Sequence, residues 1–386
     1  MWAAHLDLSD LARHTDSPAL PGEPDLIFLF ADAASLQRGD IIPRLAARHP
    51  SARLIGCSAR AVAQDRTLTE NGRTALAVGF ERTPLRLVAE PLPNVEASFP
   101  AGAALGEALK APDLAGLFVL SEGRDVNGTA LIDGIRSVLG PDVVIGGGLA
   151  GNFLPMDDTL VLTGTPPGAP EVASHRVAAL GLYGPAIRIA QGCAGGWDEF
   201  GPNRRITRSK GTVIYEFDGR PALDLYETYL GDEADALPLS GLVFPLHIWD
   251  DANPRETMVR TIMAIDREER SITVGGDVPE GWSARLMRGY FESLMDGANQ
   301  AGRHARTLMA AQGVEPALCL FVSCIGRHLL LGQRTEEELE AVSRMIGDTV
   351  PIVGCYANGE FAPNNGSTRC SLHNQTVTLT LLAEAI

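Results

Sequence analysis

The sequence predicts an α/β protein with mixed β-sheets built from three βαβ-like units with hairpin extensions. Three observations carry that reading. Short apolar runs recur in sets of three, helical stripes fall between the first two runs of a set, and polar residues crowd the positions just after the runs. Runs this short have the length of buried strands. Strand, helix and strand at this spacing make a parallel pair with a crossover between them.

The first unit has its runs at 26–30, 54–58 and 74–80. The second has them at 116–120, 143–147 and 177–183, and the third at 317–323, 350–355 and 375–382. Phe30 is as far from Gly56 as Leu120 is from Gly146, which aligns those two glycines; an insertion around 325–334 stretches the third unit. In unit two Asn127 is placed to cap a helix with the apolar face Leu131, Ile135, Val138 and Leu139. In unit three Thr335 and Glu338 fit a capping box ahead of Leu339, Val342 and Ile346. The acidic run Glu336-Glu337-Glu338 reads as a solvated first turn that suits the helix dipole. The turns at 80–85 and 183–186 predict hairpins that extend units one and two.

Different material separates units two and three. A strand at 212–217 precedes Asp218, which is placed to cap a helix through Leu223, Tyr226 and Leu230 with Gly231 as its stop. Runs at 258–265 and 271–275 flank a charged turn, and Leu294, Ala298, Ala301, Ala305 and Leu308 mark a long helix. The chain is therefore expected in two parts, 22–217 and 218–386.

Composition narrows the function classes. With 386 residues, 45% hydrophobic and 21% charged, the chain has the make-up of a globular protein. Its 32 basic against 48 acidic residues give a net charge of −16, which repels phosphate backbones and excludes nucleic acid as a partner. The acidity suits solubility and docking to a basic partner. No apolar run reaches the length of a spanning helix, so no membrane partner is expected. The start, Met1 to Asp7, lacks the basic and apolar regions of a signal peptide. Six scattered cysteines without CxxC spacing fit neither a zinc framework nor a disulfide scaffold. A cytoplasmic address is expected.

Open α/β sheets bind ligands beyond the carboxyl ends of their strands. In unit three that edge carries Cys324, Arg327 and His328, then Tyr356, Asn358 and Glu360, then His373 and Asn374. Arg327 is placed to pair an anionic group, Glu360 and Asn374 to orient a cationic end, and Tyr356 to wall the cleft; an amino-acid-like zwitterion suits that set. Cys57, Ser58, Gly147 and Asn152 mark the corresponding edges of units one and two. The glycine run at 146–151 offers amides to a phosphate but lacks the Lys and Ser/Thr of a P-loop, so close backbone packing is the expected role. A second reading takes Cys324, His373 and Glu360 as nucleophile, base and orienter of a cysteine-dependent hydrolase. A third takes Cys324 beside Arg327 as a redox-sensing thiolate.

The series Gly56-Cys57-Ser58, Gly146-Gly147-Gly148-Leu149-Ala150-Gly151-Asn152, Asp218-Gly219-Arg220-Pro221-Ala222, Phe244-Pro245-Leu246, Ser323-Cys324-Ile325-Gly326-Arg327, Gly354-Cys355-Tyr356-Ala357-Asn358-Gly359-Glu360 and His373-Asn374-Gln375-Thr376 resembles the FIST domain family. The likeness runs from about Leu26 to the C-terminus, as an N-terminal and a C-terminal FIST part. It implies a sensory module for a small ligand in signal transduction. Nothing in the chain looks like a kinase or a cyclic-dinucleotide enzyme, so the output is expected to pass to a separate partner such as a histidine kinase. The resemblance also extends to stand-alone members that bind haem and sense nitric oxide. Haem needs an axial ligand, for which His247, His328 and His373 are the candidates. There is no CxxCH for covalent attachment. The residues alone name no cofactor.

Overall fold

The computed structural model describes residues 1–8, 20–141, 143–152, 159–363 and 369–385, with side chains for all of these but 254–256. In unit one the run at 26–31 is buried on both faces. Leu26, Phe28 and Phe30 enter a core shared by all three units, while Ile27, Leu29 and Ala31 face helices. A strand covered on both sides needs a continuous apolar run rather than an alternating one. The unit comprises β1 (Trp2–His5), β2 (Leu26–Ala31), α1 (Ala33–Gln37), α2 (Ile41–Arg48), β3 (Arg53–Ser58), β4 (Ala61–Gln64), β5 (Thr67–Glu70), β6 (Arg73–Gly79) and β7 (Leu85–Pro91). β2 and β3 are parallel, and β6 runs antiparallel on the other side of β2.

Unit two repeats the plan with α3 (Ser98–Leu109), β8 (Leu114–Ser121), α4 (Gly128–Leu139), β9 (Val144–Leu149), β10 (Val161–Gly164), β11 (Glu171–Ala173), β12 (Arg176–Tyr183) and β13 (Ile187–Ala194). Asn127 caps α4 as expected, its Oδ1 accepting the Ala130 amide at 3.0 Å. An inserted β-rich module follows: β14 (Trp197–Lys210), β15 (Val213–Phe217), β16 (Arg220–Pro221), α5 (Ala222–Leu230), β17 (Leu246–Asp250), β18 (Asn253–Arg260), β19 (Ile262–Asp266), β20 (Ser271–Val274) and β21 (Ser283–Gly289). It has its own apolar core around Ile206, Tyr226, Ile248 and Leu286. Unit three then runs α6 (Phe291–Ala311), β22 (Leu318–Cys324), α7 (Ile325–Leu331), α8 (Glu336–Ile346), β23 (Ile352–Ala357), β24 (Gly359–Pro363), β25 (Cys370–His373) and β26 (Val377–Glu384). The insertion read at 325–334 is α7 and the turn after it.

The three sheets have one strand order. They read β11-β10-β3-β2-β6-β1, β25-β24-β9-β8-β12-β7 and β5-β4-β23-β22-β26-β13. Each unit thus gives its β-hairpin to another unit's sheet: β4–β5 to unit three, β10–β11 to unit one and β24–β25 to unit two. Their inner faces meet in the shared core, where Phe28 and Phe118 stack edge to face with centroids 5.7 Å apart.

Five sequence expectations change. The turns at 80–85 and 183–186 do not fold β7 and β13 back into hairpins; β7 pairs with β12 and β13 with β26, each crossing to the next sheet. The glycine equivalent to Gly56 is Gly147, one residue later than Gly146. Gly56, Gly147 and Gly354 sit opposite Leu29, Val119 and Phe321, and a Cβ on any of them would fall within 1.9 Å of that partner's carbonyl oxygen. Thr335 makes no capping bond to α8; its hydroxyl donates to Gly332 O, and Glu338 turns into the core fully buried, so the acidic run is not all solvated. Asp218 holds a left-handed turn and accepts the Arg205 amide, while α5 starts only at Ala222. Within α6 the stripe continues from Ala305 to buried Met309, leaving Leu308 exposed.

Candidate functional site

The strand ends of unit three converge, and register shows why this edge is unlike its two counterparts. β4 sets Val62 opposite Cys355, β10 sets Val161 opposite Cys57, and β24 sets Glu360 opposite Gly148. Glu360 holds a position that is valine in the other two units. Its side chain is fully buried. Oε2 accepts the Thr376 amide at 3.2 Å and the Thr376 hydroxyl at 2.7 Å, whereas Oε1 has no hydrogen-bond partner. Burial pushes the carboxyl up to about 8, against the pull of the Thr376 bonds, the Arg327 charge and the Cys324 thiol. At pH 7 the group is mostly protonated; because Oε2 accepts both Thr376 bonds the proton lies on Oε1, which has no partner and becomes an acceptor once the proton leaves.

Residues 373–376 form the roof of this site, and they are tied to the inserted module. Gln375, in a left-handed conformation at φ 63°, donates from Nε2 to Leu242 O at 2.6 Å and accepts Trp197 Nε1 on its carbonyl at 2.7 Å. Its Oε1 is buried without a partner. Asn374 bonds the Thr261 amide and packs on Gly275. Arg260, wholly buried, donates to Leu372 O at 3.2 Å and to Asp277 O at 3.0 Å. Asp277 in turn accepts Asn127 Nδ2 at the start of α4.

Arg327 and Tyr356 serve a different purpose from the one the sequence suggests. Arg327 Nε donates to Glu338 Oε1 at 2.7 Å, Nη2 to Leu294 O at 3.0 Å, and Nη1 to Gly195 O. Tyr356 and Ser323 donate to Glu338 Oε2 at 2.7 and 3.0 Å. All four side chains are fully buried. With every guanidinium nitrogen committed, Arg327 does not pair a ligand anion, and Tyr356 walls no open cleft. The pair anchors α7 and α8 to β22 and β23. Asn358 donates to Gly123 O at 3.0 Å, joining units two and three.

The secondary positions are structural. Cys57 and Cys355 are buried neighbours in the shared core, and the proximity of Cys355 together with burial pushes the Cys57 thiol up. Ser58 Oγ accepts the Leu160 amide at 2.8 Å. Gly146 to Leu149 lie in β9, paired with β8 throughout and with β24 from Gly147 on, so this run forms no phosphate cradle. Asn152 is half-buried beside the Ala59–Gly151 bridge.

A thiolate at Cys324 is disfavoured. Burial first and the Glu360 charge second push its thiol up, and His373 Nε2 bonds Ala362 O at 3.0 Å rather than the sulfur. Burial pulls that imidazole down to about 4, so it stays neutral. The three candidate histidines do not fit haem ligation. His373 is 4% exposed and engaged. His328 lies between Thr335 Oγ1 at 3.0 Å and Glu70 at 3.2 Å. His247 bonds Glu199 and Thr257 over a groove of about 260 Å³ walled by Asn203 and Arg285, smaller than ordinary ligand pockets. Among the described residues no group of three or more His, Cys, Asp or Glu could hold a metal ion.

Sequence reasoning missed Arg260, Glu338, Gln375, Thr376 and Cys193. Gln375 and Thr376 stood in a polar run ahead of an apolar strand, which was signal enough. Cys193 sits beside Thr376, and burial pushes its thiol up to about 12. Arg260 and Glu338 gave no local sign of burial.

Compared with known families, the FIST N domain model matches residues 25–220 and the FIST C domain model matches residues 222–363. Comparison with curated proteins gives no match. Among the described residues no helix is long and apolar enough to cross a membrane.

Proposed function

The chain belongs to the FIST family, whose domains are associated with small-ligand sensing in signal transduction, and on that premise we propose that its ligand binds at Glu360 beneath residues 373–376. The observation that carries this reading is the break in threefold equivalence. Two units place valine where the third buries a carboxyl with an unspent oxygen, an arrangement that costs stability. Gln375 Oε1 adds an unspent acceptor, and Glu360 Oε1 becomes a second one when the carboxyl loses its proton. With the Arg327 guanidinium committed, this favours a cationic hydrogen-bond donor such as a small amine over the zwitterion that Arg327 suggested. A cationic ligand would also draw the proton off Glu360.

The roof is bonded to Leu242, Thr261 and Trp197, so admitting a ligand displaces the inserted module. That displacement is the signal we propose for a separate partner protein, such as a histidine kinase, docking on the acidic surface. Screening amino acids, polyamines and biogenic amines by thermal shift tests the reading. A hit should stabilise the protein, release a proton at pH 7, and lose its effect in Glu360→Gln. Hits that stabilise Glu360→Gln equally would refute it.

A further inference from the structure

The inserted module carries a hydrogen-bonded row of side chains on its outer face. β17 lies between β18 and β21, and β21 pairs in turn with β14. His247 stands opposite Val259 and Arg285, Trp249 opposite Thr257, and Glu199 opposite Met287. Opposed residues of antiparallel strands share a face, so Glu199, His247, Trp249, Thr257 and Arg285 all stand on one side of the sheet. Leu246, Ile248, Ala284 and Leu286 alternate with them and fill the module's core from the other side.

The row has an order. Glu199 bonds His247 Nδ1, and Thr257 Oγ1 bonds Nε2. A carboxylate only accepts, so the neutral ring carries its hydrogen on Nδ1 and leaves Nε2 as the acceptor. The Thr257 hydroxyl therefore donates to Nε2. Glu199 is itself held, for Arg285 Nη1 donates to its Oε2 at 3.0 Å and Arg285 Nε to Gly201 O at 2.8 Å. Trp249 packs against the imidazole with centroids 5.1 Å apart, and its indole donates to Asp251 at 2.8 Å. Hydroxyl, imidazole and carboxylate in this order are the parts of a nucleophile, its base and the base's orienter. They border the groove of about 260 Å³ that Asn203 also lines. Space below the range of drug-sized ligands suits an acyl group of a few carbons. The His247 side chain is 22% exposed, so water reaches the ring.

We propose that this groove hydrolyses esters of short-chain acids, with Thr257 as nucleophile and His247 as general base. Thr257 Oγ1 attacks the ester carbonyl carbon while its proton passes to His247 Nε2. The bond from that carbon to the alcohol oxygen breaks, and the alcohol leaves with the proton from Nε2. Water then attacks the acyl-threonine and gives one proton to Nε2. Cleavage of the bond to Oγ1 releases the acid, and Nε2 returns the proton to Oγ1. Water is the only co-reactant, and nothing is oxidised or reduced. Asn203 supplies an amide donor to the carbonyl oxygen. Glu199 and Arg285 are positioning residues that keep Nε2 as the acceptor.

Hydrolysis of 4-nitrophenyl acetate by the full chain, followed by nitrophenol absorbance from pH 5 to 8, tests this. Saturable turnover is expected. Thr257→Val and His247→Gln should each lower kcat/KM at least about a hundredfold with the melting temperature kept. Thr257→Ser retains the hydroxyl and should keep most of the activity. In Glu199→Gln the imidazolium loses its anionic partner, so the rising limb of kcat/KM should move to lower pH. A carboxylate remote from the reaction would leave that limb in place. No saturable hydrolysis, a full rate in either Thr257→Val or His247→Gln, or equal rates in Thr257→Ser and Thr257→Val would overturn the proposal.

Discussion

Glu360 and His373 face each other across β24 and β25 and pull stability in opposite directions with pH. Glu360 holds its proton up to about 8 when folded, whereas an unfolded glutamate loses it near its ordinary value of about 4.3. Its stabilising contribution is complete below that value and is lost as pH rises toward 8. His373 titrates near 4 when folded and near about 6.5 unfolded, so its contribution grows as pH rises between those values. The two slopes offset one another below about 6.5. Above it only Glu360 of the two still titrates, and its contribution should fall by roughly 1 kcal/mol per pH unit, levelling off as pH nears 8. Urea denaturation across pH 6.5–8 should show that fall in the native protein and not in Glu360→Gln. Arg327 and Glu338 make a second prediction. Removing one partner of a buried ion pair strands a charge, so Arg327→Met should cost about 3–5 kcal/mol in the same assay. This pairing was hidden in the sequence because Glu338 sits in an acidic run, and only the approach of α8 to β22 turns it inward.

Strands and helices were legible wherever a local pattern decided them. The repeat, the Asn127 cap and the Gly231 stop follow from neighbouring residues, and the structure has all three. Pairing was legible only in part. The turn at 183–186 reads alike whether β13 folds back on β12 or crosses to β26, because tertiary packing makes that choice. The same limit misaligned Gly146 with Gly56, since only register reveals which glycine lies under a facing carbonyl. Gly354→Ala puts a methyl 1.7 Å from Phe321 O and cannot be relieved by a rotamer. It should cost more than about 4 kcal/mol or prevent folding, as read by soluble yield and denaturant midpoint. Gly211→Ala, where a Cβ meets nothing within 4 Å, is the control and should show only the smaller strain of its φ of 58°.

The cyclic exchange of hairpins makes the three sheets one cooperative body. A fragment of residues 1–217 retains β4–β5 and β13 without β23 and β26, and leaves β9 without β24. Such unpaired edges invite aggregation. Expressed alone, this fragment should be insoluble or lack near-ultraviolet circular dichroism, and supplying residues 218–386 should rescue it. The net charge of −16 lies on a body whose candidate ligand site is buried, so the proposed function assigns partner docking and ligand binding to different surfaces. The ligand site rests on one substitution within the threefold plan, and restoring the plan tests it most directly. Thermal shift against the amine panel should be measured for the native protein and for Glu360→Val, which installs the residue the other two units carry. The variant should fold, melt higher at pH 8 and ignore every amine that stabilises the native protein. Undiminished stabilisation of Glu360→Val by those amines would contradict the assignment of the site.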